Sequence, residues 1–185
     1  MRLLRYIVLA NLFAALLMAG AVVALRPRDT HGAPMFQRSN AVWIGHSWVA
    51  APPKAAGPRS LCVVLRAHNL DEIYVHVGPI DEAGRIVEGR DPDAGRFADA
   101  FHAACPGVRE LAWIGQLLPK WDGLLNLHDP TARTALVRTA AHYVGEGFDG
   151  VQYDLEPVAA DDTAFLDLLR RTRAAIGNHW LAVAG

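Results

Sequence analysis

The feature that most limits the fold of this sequence is a regular alternation of strand-like and helix-like segments from residue 41 onward. Runs of β-branched and aromatic residues predict strands over 41–49, 72–80, 109–117, 148–156 and 179–185. Apolar residues at helical spacing, with proline near helix starts and glycine after helix ends, predict helices over 58–69, 93–107, 129–147 and 161–177. This order indicates an α/β fold with a parallel sheet and right-handed crossovers.

Two architectures fit this order: a doubly wound open sheet and an eight-stranded β/α barrel. The open nucleotide-binding sheet usually carries G-x-G-x-x-G after its first strand, and the segment HSWVAAPPKAAGPR at 46–59 lacks that motif. The barrel is therefore favoured. A complete barrel needs about 200–250 residues. We therefore expect residues 41–185 to be the N-terminal part of a (β/α)8 barrel, about four and a half of its units, in a chain that is a fragment.

An uncharged segment over residues 6–25 precedes the alternating region, with arginines on both sides. About 20 apolar residues suffice to span a bilayer, whereas a signal peptide has a shorter apolar region and a small-residue cleavage site. The tripeptide Ala19-Gly20-Ala21 could serve as such a site. We therefore expect residues 1–25 to be a membrane anchor or a signal peptide, and residues 26–40 to be a tether. A membrane anchor or a signal peptide would each predict a membrane-anchored or secreted protein whose remaining chain lies outside the cytoplasm.

Charge and motifs argue against several classes of function. The net charge of −1 gives no electrostatic basis for binding nucleic acid. No Gly-rich phosphate loop and no zinc-finger spacing occurs in the sequence. We therefore expect neither a nucleic-acid partner nor a cofactor.

The two cysteines, Cys62 and Cys105, fall on different predicted helices. Outside the cytoplasm they could form a disulfide, but nothing in the sequence places them close together. A free cysteine is commonly a small buried apolar residue. The favoured prediction is therefore two separate buried side chains.

The fourth predicted strand carries two acids two residues apart. Because side chains alternate along a strand, Gln152, Asp154 and Glu156 share one face with Gly150, and the opposite face is mostly apolar. The apolar face is expected to meet the helices, so the polar face points into the barrel. Glu156 then lies at the C-terminal rim, where barrel active sites are found, and Asp154 lies roughly 6–7 Å deeper.

Two neighbouring acids inside a barrel are costly unless they are paired or neutralised. Mutual repulsion disfavours the charged form of such groups, which suits proton transfer at neutral pH. The alternative is a structural role, in which the acids pair with an arginine such as Arg66 or cap the following turn.

The segment DGVQYDLE at 149–156 resembles the fourth-strand motif D-G-x-D-x-D-x-E of family 18 glycoside hydrolases, the chitinases and endo-β-N-acetylglucosaminidases. It matches that motif at Asp149, Gly150, Asp154 and Glu156 and departs from it at Gln152, where the family has an aspartate. Of the family's third-strand pattern S-x-G-G, the segment AWIGQ at 112–116 offers only a single glycine.

The resemblance implies a barrel hydrolase acting on a carbohydrate, in particular an N-acetylated glycan. It implies that Glu156 is the general acid/base and that Asp154 orients the substrate's own 2-acetamido group, whose carbonyl attacks the anomeric carbon. This substrate-assisted route is an exception to the usual two-carboxylate scheme. Gln152 removes one charge but could still hydrogen-bond to Asp154. A non-catalytic carbohydrate-binding barrel is therefore an alternative.

Further candidates for substrate contacts lie at the predicted strand ends. Trp48 and Trp121 could stack on sugar rings. The remaining candidates for substrate contacts are His46, Gln116, Gln152 and Asp149. A metal-dependent hydrolase using His46, His76, Asp154 and Glu156 is a weaker alternative, because these residues lack a recognised metal-binding spacing; no metal site is predicted.

Overall fold

The computed structural model describes residues 40–54 and 56–184. The helices are α1 (Gly57–Ala67), α2 (Ala94–Ala104), α3 (Pro130–Gly145) and α4 (Thr163–Ile176). The strands are β1 (Ala41–Ile44), β2 (Glu72–His76), β3 (Arg109–Leu117), β4 (Gly150–Glu156) and β5 (Trp180–Val183). The predicted anchor or signal peptide over residues 1–25, and the tether up to residue 39, lie outside the described residues. Among the helices that are described, none has the length and apolar character needed to span a membrane.

All five strands are parallel, and their order in the sheet is the order in the sequence, β1-β2-β3-β4-β5. A doubly wound sheet reverses its strand order at a switch point, and no reversal occurs among the five described strands. Right-handed crossovers that always proceed in one direction place every helix on the same side of the sheet. This topology confirms the predicted barrel architecture, to which the described residues contribute five strands and four helices.

The two faces of β4 differ as the sequence predicts. Val151, Tyr153 and Leu155 are buried against the helices. The Tyr153 hydroxyl lies 3.1 Å from the Leu136 carbonyl of α3 and 2.9 Å from Thr172 Oγ1 of α4. These contacts dock two helices on the outer face of the sheet. The alternate residues of β4 therefore point to the inner face.

Aspartates begin the two helices that flank β4. Asp129 accepts a hydrogen bond from the Thr131 N–H at the start of α3, as predicted, with Pro130 at the first helical position. Asp162 accepts from the Ala164 and Phe165 N–H groups at the start of α4. Such caps satisfy N–H groups that have no partner within the helix. They fix where the chain turns back after β3 and after β4.

The first strand is shorter than predicted. It ends at Ile44, and residues His46–Trp48 form a 3-10 turn. The aromatic and β-branched composition of 41–49 is compatible with a strand, but Trp48 packs against Phe97 of α2, with ring centroids 5.7 Å apart. That packing requires the chain to leave the sheet.

The prediction of two separate cysteines is wrong. A disulfide joins Cys62 of α1 to Cys105, which directly follows α2. The crossovers place α1 and α2 side by side on the outer face of the sheet, although the two cysteines are 43 residues apart in sequence. Both cysteines are buried, so the disulfide lies within the helix layer.

Candidate active site

The C-terminal half of β4 presents a glutamine and two acids to the inner face of the sheet. Gln152 is buried, whereas Asp154 and Glu156 are half-buried. Leu118, which directly follows β3, donates its N–H to the Glu156 carbonyl at 2.7 Å. The pairing between the β3 segment and β4 therefore continues to the end of β4. The peptide bond between Glu156 and Pro157 is cis. Because side chains alternate along a strand, the carboxyl groups of Asp154 and Glu156 lie on one face, with Glu156 at the end of β4.

Two tryptophans bind the inward polar side chains of β4. Trp113 Nε1 of β3 donates to Asp154 Oδ2 at 2.8 Å. Trp43 Nε1 of β1 donates to Gln152 Oε1 at 2.9 Å. The structural alternative of an arginine partner is not realised at Arg66, whose guanidinium approaches the Pro106 carbonyl instead. Asp154 is thus held by a neutral donor.

Neither Trp43 nor Trp113 stands out in the sequence as a site residue, because an aromatic side chain in a strand usually contributes to the core. For Trp113, its place in the site follows from the register between the parallel strands β3 and β4. Trp113 lies beside Gln152, and Gly115 lies beside Asp154. Register partners in a parallel pair point to the same face, but the register itself cannot be read from the sequence.

Two histidines extend the polar cluster along the rim. The ring of His76, the last residue of β2, lies 4.7 Å from that of Trp113 and 5.9 Å from that of His46. Burial and the neighbouring His46 lower the pKa of His76, against the opposing effect of the Asp154 carboxylate. Because the pKa is lowered, the His76 imidazole is neutral at neutral pH. His46 itself contacts the Arg90 carbonyl through Nε2.

The opposite end of the inner face carries a separate charged group. Arg109 pairs with Glu72, and its guanidinium lies 3.8 Å above the centroid of the Trp180 ring. Burial, together with hydrogen bonding to Glu72, raises the pKa of Tyr74. The inner face therefore carries an ion pair at its N-terminal end, whereas Asp154 and Glu156 lie toward its C-terminal rim.

The structure does not bring three of the predicted contact residues to this site. Gln116 lies on the helix-facing side of β3, where it donates to the Ile80 carbonyl at 2.8 Å. Asp149 precedes β4 at the far end from Glu156, and its Oδ2 accepts from the Glu110 N–H at 2.8 Å. Trp48 is half-buried in the helix layer. All three side chains are therefore explained by structural contacts.

Trp121 remains at the rim. It closes the 3-10 turn Pro119–Trp121 that follows β3, and 52% of its surface is exposed. Leu117, the register partner of Glu156, is 47% exposed. An exposed indole offers a flat apolar face of the kind on which a sugar ring can stack.

Over the described part of the chain, no three histidine, cysteine, aspartate or glutamate side chains are placed so that they could hold a metal ion together.

No protein-family model matches this chain, and no curated protein matches its sequence. Solved structures do match its fold. A chitinase from Bacteroides thetaiotaomicron has a TM-score of 0.54 at 16% identity over 80% of this chain and 47% of its own. The C-terminal domain of a predicted chitinase from Desulfitobacterium hafniense has a TM-score of 0.59 at 15% identity, over 78% of this chain and 45% of its own.

An α-amylase from Geobacillus thermoleovorans, solved with acarbose, matches with a TM-score of 0.52 at 9% identity, over 78% of this chain and 46% of its own. At these identities the likeness concerns the fold, because glycosidases of different specificity share it. The chain spans about half the length of the solved structures it matches. It shares with them a β/α-barrel fold, over about half of a barrel.

Proposed function

We propose that this protein is a glycoside hydrolase that cleaves N-acetylated glycans, with Glu156 as general acid/base and Asp154 as its partner. The observation that carries the proposal is the placement of both acids on the inner face of β4, with Glu156 at the C-terminal rim of a chitinase-like barrel. Active sites of β/α barrels lie at this rim. The resemblance of residues 149–156 to the family 18 motif supports the same two residues.

The proposed reaction needs one proton donor and one orienting group. Glu156 protonates the glycosidic oxygen while the carbonyl oxygen of the substrate's acetamido group bonds to the anomeric carbon, and the leaving sugar departs as an alcohol. Water then attacks the anomeric carbon, the bond to the acetamido oxygen breaks, and Glu156 takes the proton from the water. Asp154 accepts a hydrogen bond from the acetamido N–H and stabilises the positive charge that develops there.

Two exposed tryptophans, one on β1 and one in the turn after β3, supply surfaces for the sugar. Trp43 is 50% exposed and Trp121 is 52% exposed, and indole faces cover the C–H groups of sugars well. Glycan binding is the part of the proposal that these side chains support. They would serve equally in a non-catalytic carbohydrate-binding barrel.

We also propose that this domain works outside the cytoplasm, on a membrane anchor or after secretion. The buried disulfide between Cys62 and Cys105 supports the proposal, because structural disulfides persist mainly in oxidising compartments. The uncharged segment at residues 6–25 supports it independently. Fractionation of cells that express the full-length protein tests it, with the domain expected in the membrane or secreted fraction. Recovery in the cytosol with free thiols would contradict it.

The function is tested with paired substrates on the full-length protein. Aryl glycosides of N-acetylglucosamine oligomers should be hydrolysed, whereas the matching glucose oligomers, which lack the acetamido group, should not. Equal turnover of both series would contradict the substrate-assisted route. Binding of the N-acetylated oligomers without turnover would instead favour a carbohydrate-binding protein.

A further inference from the structure

The side chain of Trp113 on β3 reaches Asp154 on the neighbouring strand, β4. Its backbone pairs with Gln152, yet its indole N–H donates to Asp154 Oδ2, one layer nearer the rim. The indole can extend in this direction because Gly115 has no side chain: a Cβ at that position would lie 3.0 Å from Trp113 Nε1. The His76 ring, 4.7 Å away between centroids, packs on the same indole.

The neighbouring polar side chain has a separate donor. Gln152 Oε1 accepts from Trp43 Nε1 at 2.9 Å. Each of the two inward side chains is therefore held by its own indole, one from β1 and one from β3. An indole N–H can only donate and does not titrate in the accessible pH range. Both donors therefore remain available throughout the accessible pH range.

We propose that Trp113 is a positioning residue for the reaction: its N–H fixes the Asp154 carboxylate so that Oδ1 faces the substrate's acetamido group. This inference rests on the proposed function. A hydrogen bond to a charged group has a well-defined direction and is stronger than one between neutral groups. With Oδ2 held by the indole, Oδ1 is the oxygen that can accept the acetamido N–H.

A positioning role makes a specific kinetic prediction. Trp113→Phe keeps an aromatic ring beside His76 and removes only the donor. Because the charge on the acetamido group develops in the transition state, we expect kcat to fall about ten- to a hundredfold. KM should change little, since ground-state contacts to the sugar remain.

A double-mutant cycle in the full-length protein separates positioning from general structural support. The cycle combines Trp113→Phe with Asp154→Ala, and kcat is measured on an aryl N-acetylglucosamine dimer. If Trp113 acts through Asp154, the Trp113→Phe substitution should cost little further activity once the Asp154 carboxylate is absent.

Trp43→Phe is the matched control, because it removes the equivalent N–H from Gln152. Its effect should multiply with that of Asp154→Ala. Thermal unfolding of each variant identifies losses caused by misfolding.

A second readout does not depend on turnover. The indole 1H–15N resonance of Trp113, assigned through Trp113→Phe, should move upfield in Asp154→Ala, while that of Trp43 should hold its position.

An active protein in which Trp113→Phe retains wild-type kcat would overturn the positioning role and leave the proposed function intact. Multiplicative effects of Trp113→Phe and Asp154→Ala would also overturn it. A folded full-length protein that cleaves no glycan would remove the proposed function, and the positioning role with it.

Discussion

A methyl group placed on Gly115 would lie 3.0 Å from Nε1 of Trp113. This spacing is tighter than an ordinary van der Waals contact, so the indole and the backbone of residue 115 are fitted to one another. The same nitrogen donates to Asp154. The geometry of the acid therefore depends on the absence of a side chain one strand away.

Gly115→Val should displace the Trp113 indole from Asp154, because a branched side chain needs more room than the 3.0 Å contact provides. We expect an overpacking cost of about 1–3 kcal/mol in the free energy of unfolding. We also expect an upfield shift of the Trp113 indole resonance, measured by NMR. Gly45→Ala is the matched control, since a Cβ at Gly45 meets no atom within 4 Å. An unchanged indole resonance in Gly115→Val would show that the fit is not restrictive.

The buried side chain of Glu110 should make the free energy of unfolding depend on pH. Its carboxyl group is fully buried, and neither oxygen has a hydrogen-bond partner among the described residues, although the His102 imidazole lies 3.8 Å from Oε2. Burial, followed by the charge of Asp149, raises the pKa of Glu110 well above the ordinary value. Because the folded state binds this proton more tightly than the unfolded state, stability falls as pH rises from the ordinary carboxyl range through the raised pKa. One such group contributes a slope of at most about 1.4 kcal/mol per pH unit.

Glu110→Gln should therefore flatten the decline in stability between mildly acidic and alkaline pH. Urea unfolding at a series of pH values measures the slope for each variant. Glu88→Gln is the control, because Glu88 is exposed. If Glu110→Gln and the wild type have parallel pH profiles, then Glu110 does not titrate differently in the folded and unfolded states.

The disulfide between Cys62 and Cys105 should contribute substantially to stability. It closes a segment of 43 residues between two helices, and cross-links of this kind typically stabilise by about 2–4 kcal/mol, mainly by constraining the unfolded chain. We expect the double substitution Cys62→Ala and Cys105→Ala to lower the free energy of unfolding by this amount in urea titrations. A reducing agent should lower the wild type to the same level and leave the double variant unaffected. Equal stability of the wild type with and without reductant would contradict this.

The barrel architecture was predictable because it depends on local patterns. Composition and periodicity locate the strands and helices, and the prediction for β3 over 109–117 agrees with the structure. Alternation along β4 also predicts which of its side chains face inward. The early end of β1 at Ile44 was not predictable, because it depends on the packing of Trp48 against Phe97 of a later helix.

The site could be predicted from the sequence only in part, because its contacts join residues that are distant in the sequence. The acids Asp154 and Glu156 are evident from one strand, whereas their neighbours depend on register between strands. Trp113 reaches Asp154 because β3 and β4 pair Gly115 with it, a relation between residues about 40 positions apart. The disulfide has the same character, since only the packing of α1 beside α2 brings Cys62 and Cys105 together.

The most direct test of the central claim is the kcat of Glu156→Gln on an aryl N-acetylglucosamine oligomer, measured in the full-length protein. Loss of a general acid typically costs about 10²–10⁴-fold. We expect a loss in this range, with oligosaccharide binding and the unfolding midpoint unchanged and with Glu88→Gln as active as the wild type. Wild-type turnover by Glu156→Gln would contradict the assignment of Glu156 as the general acid/base.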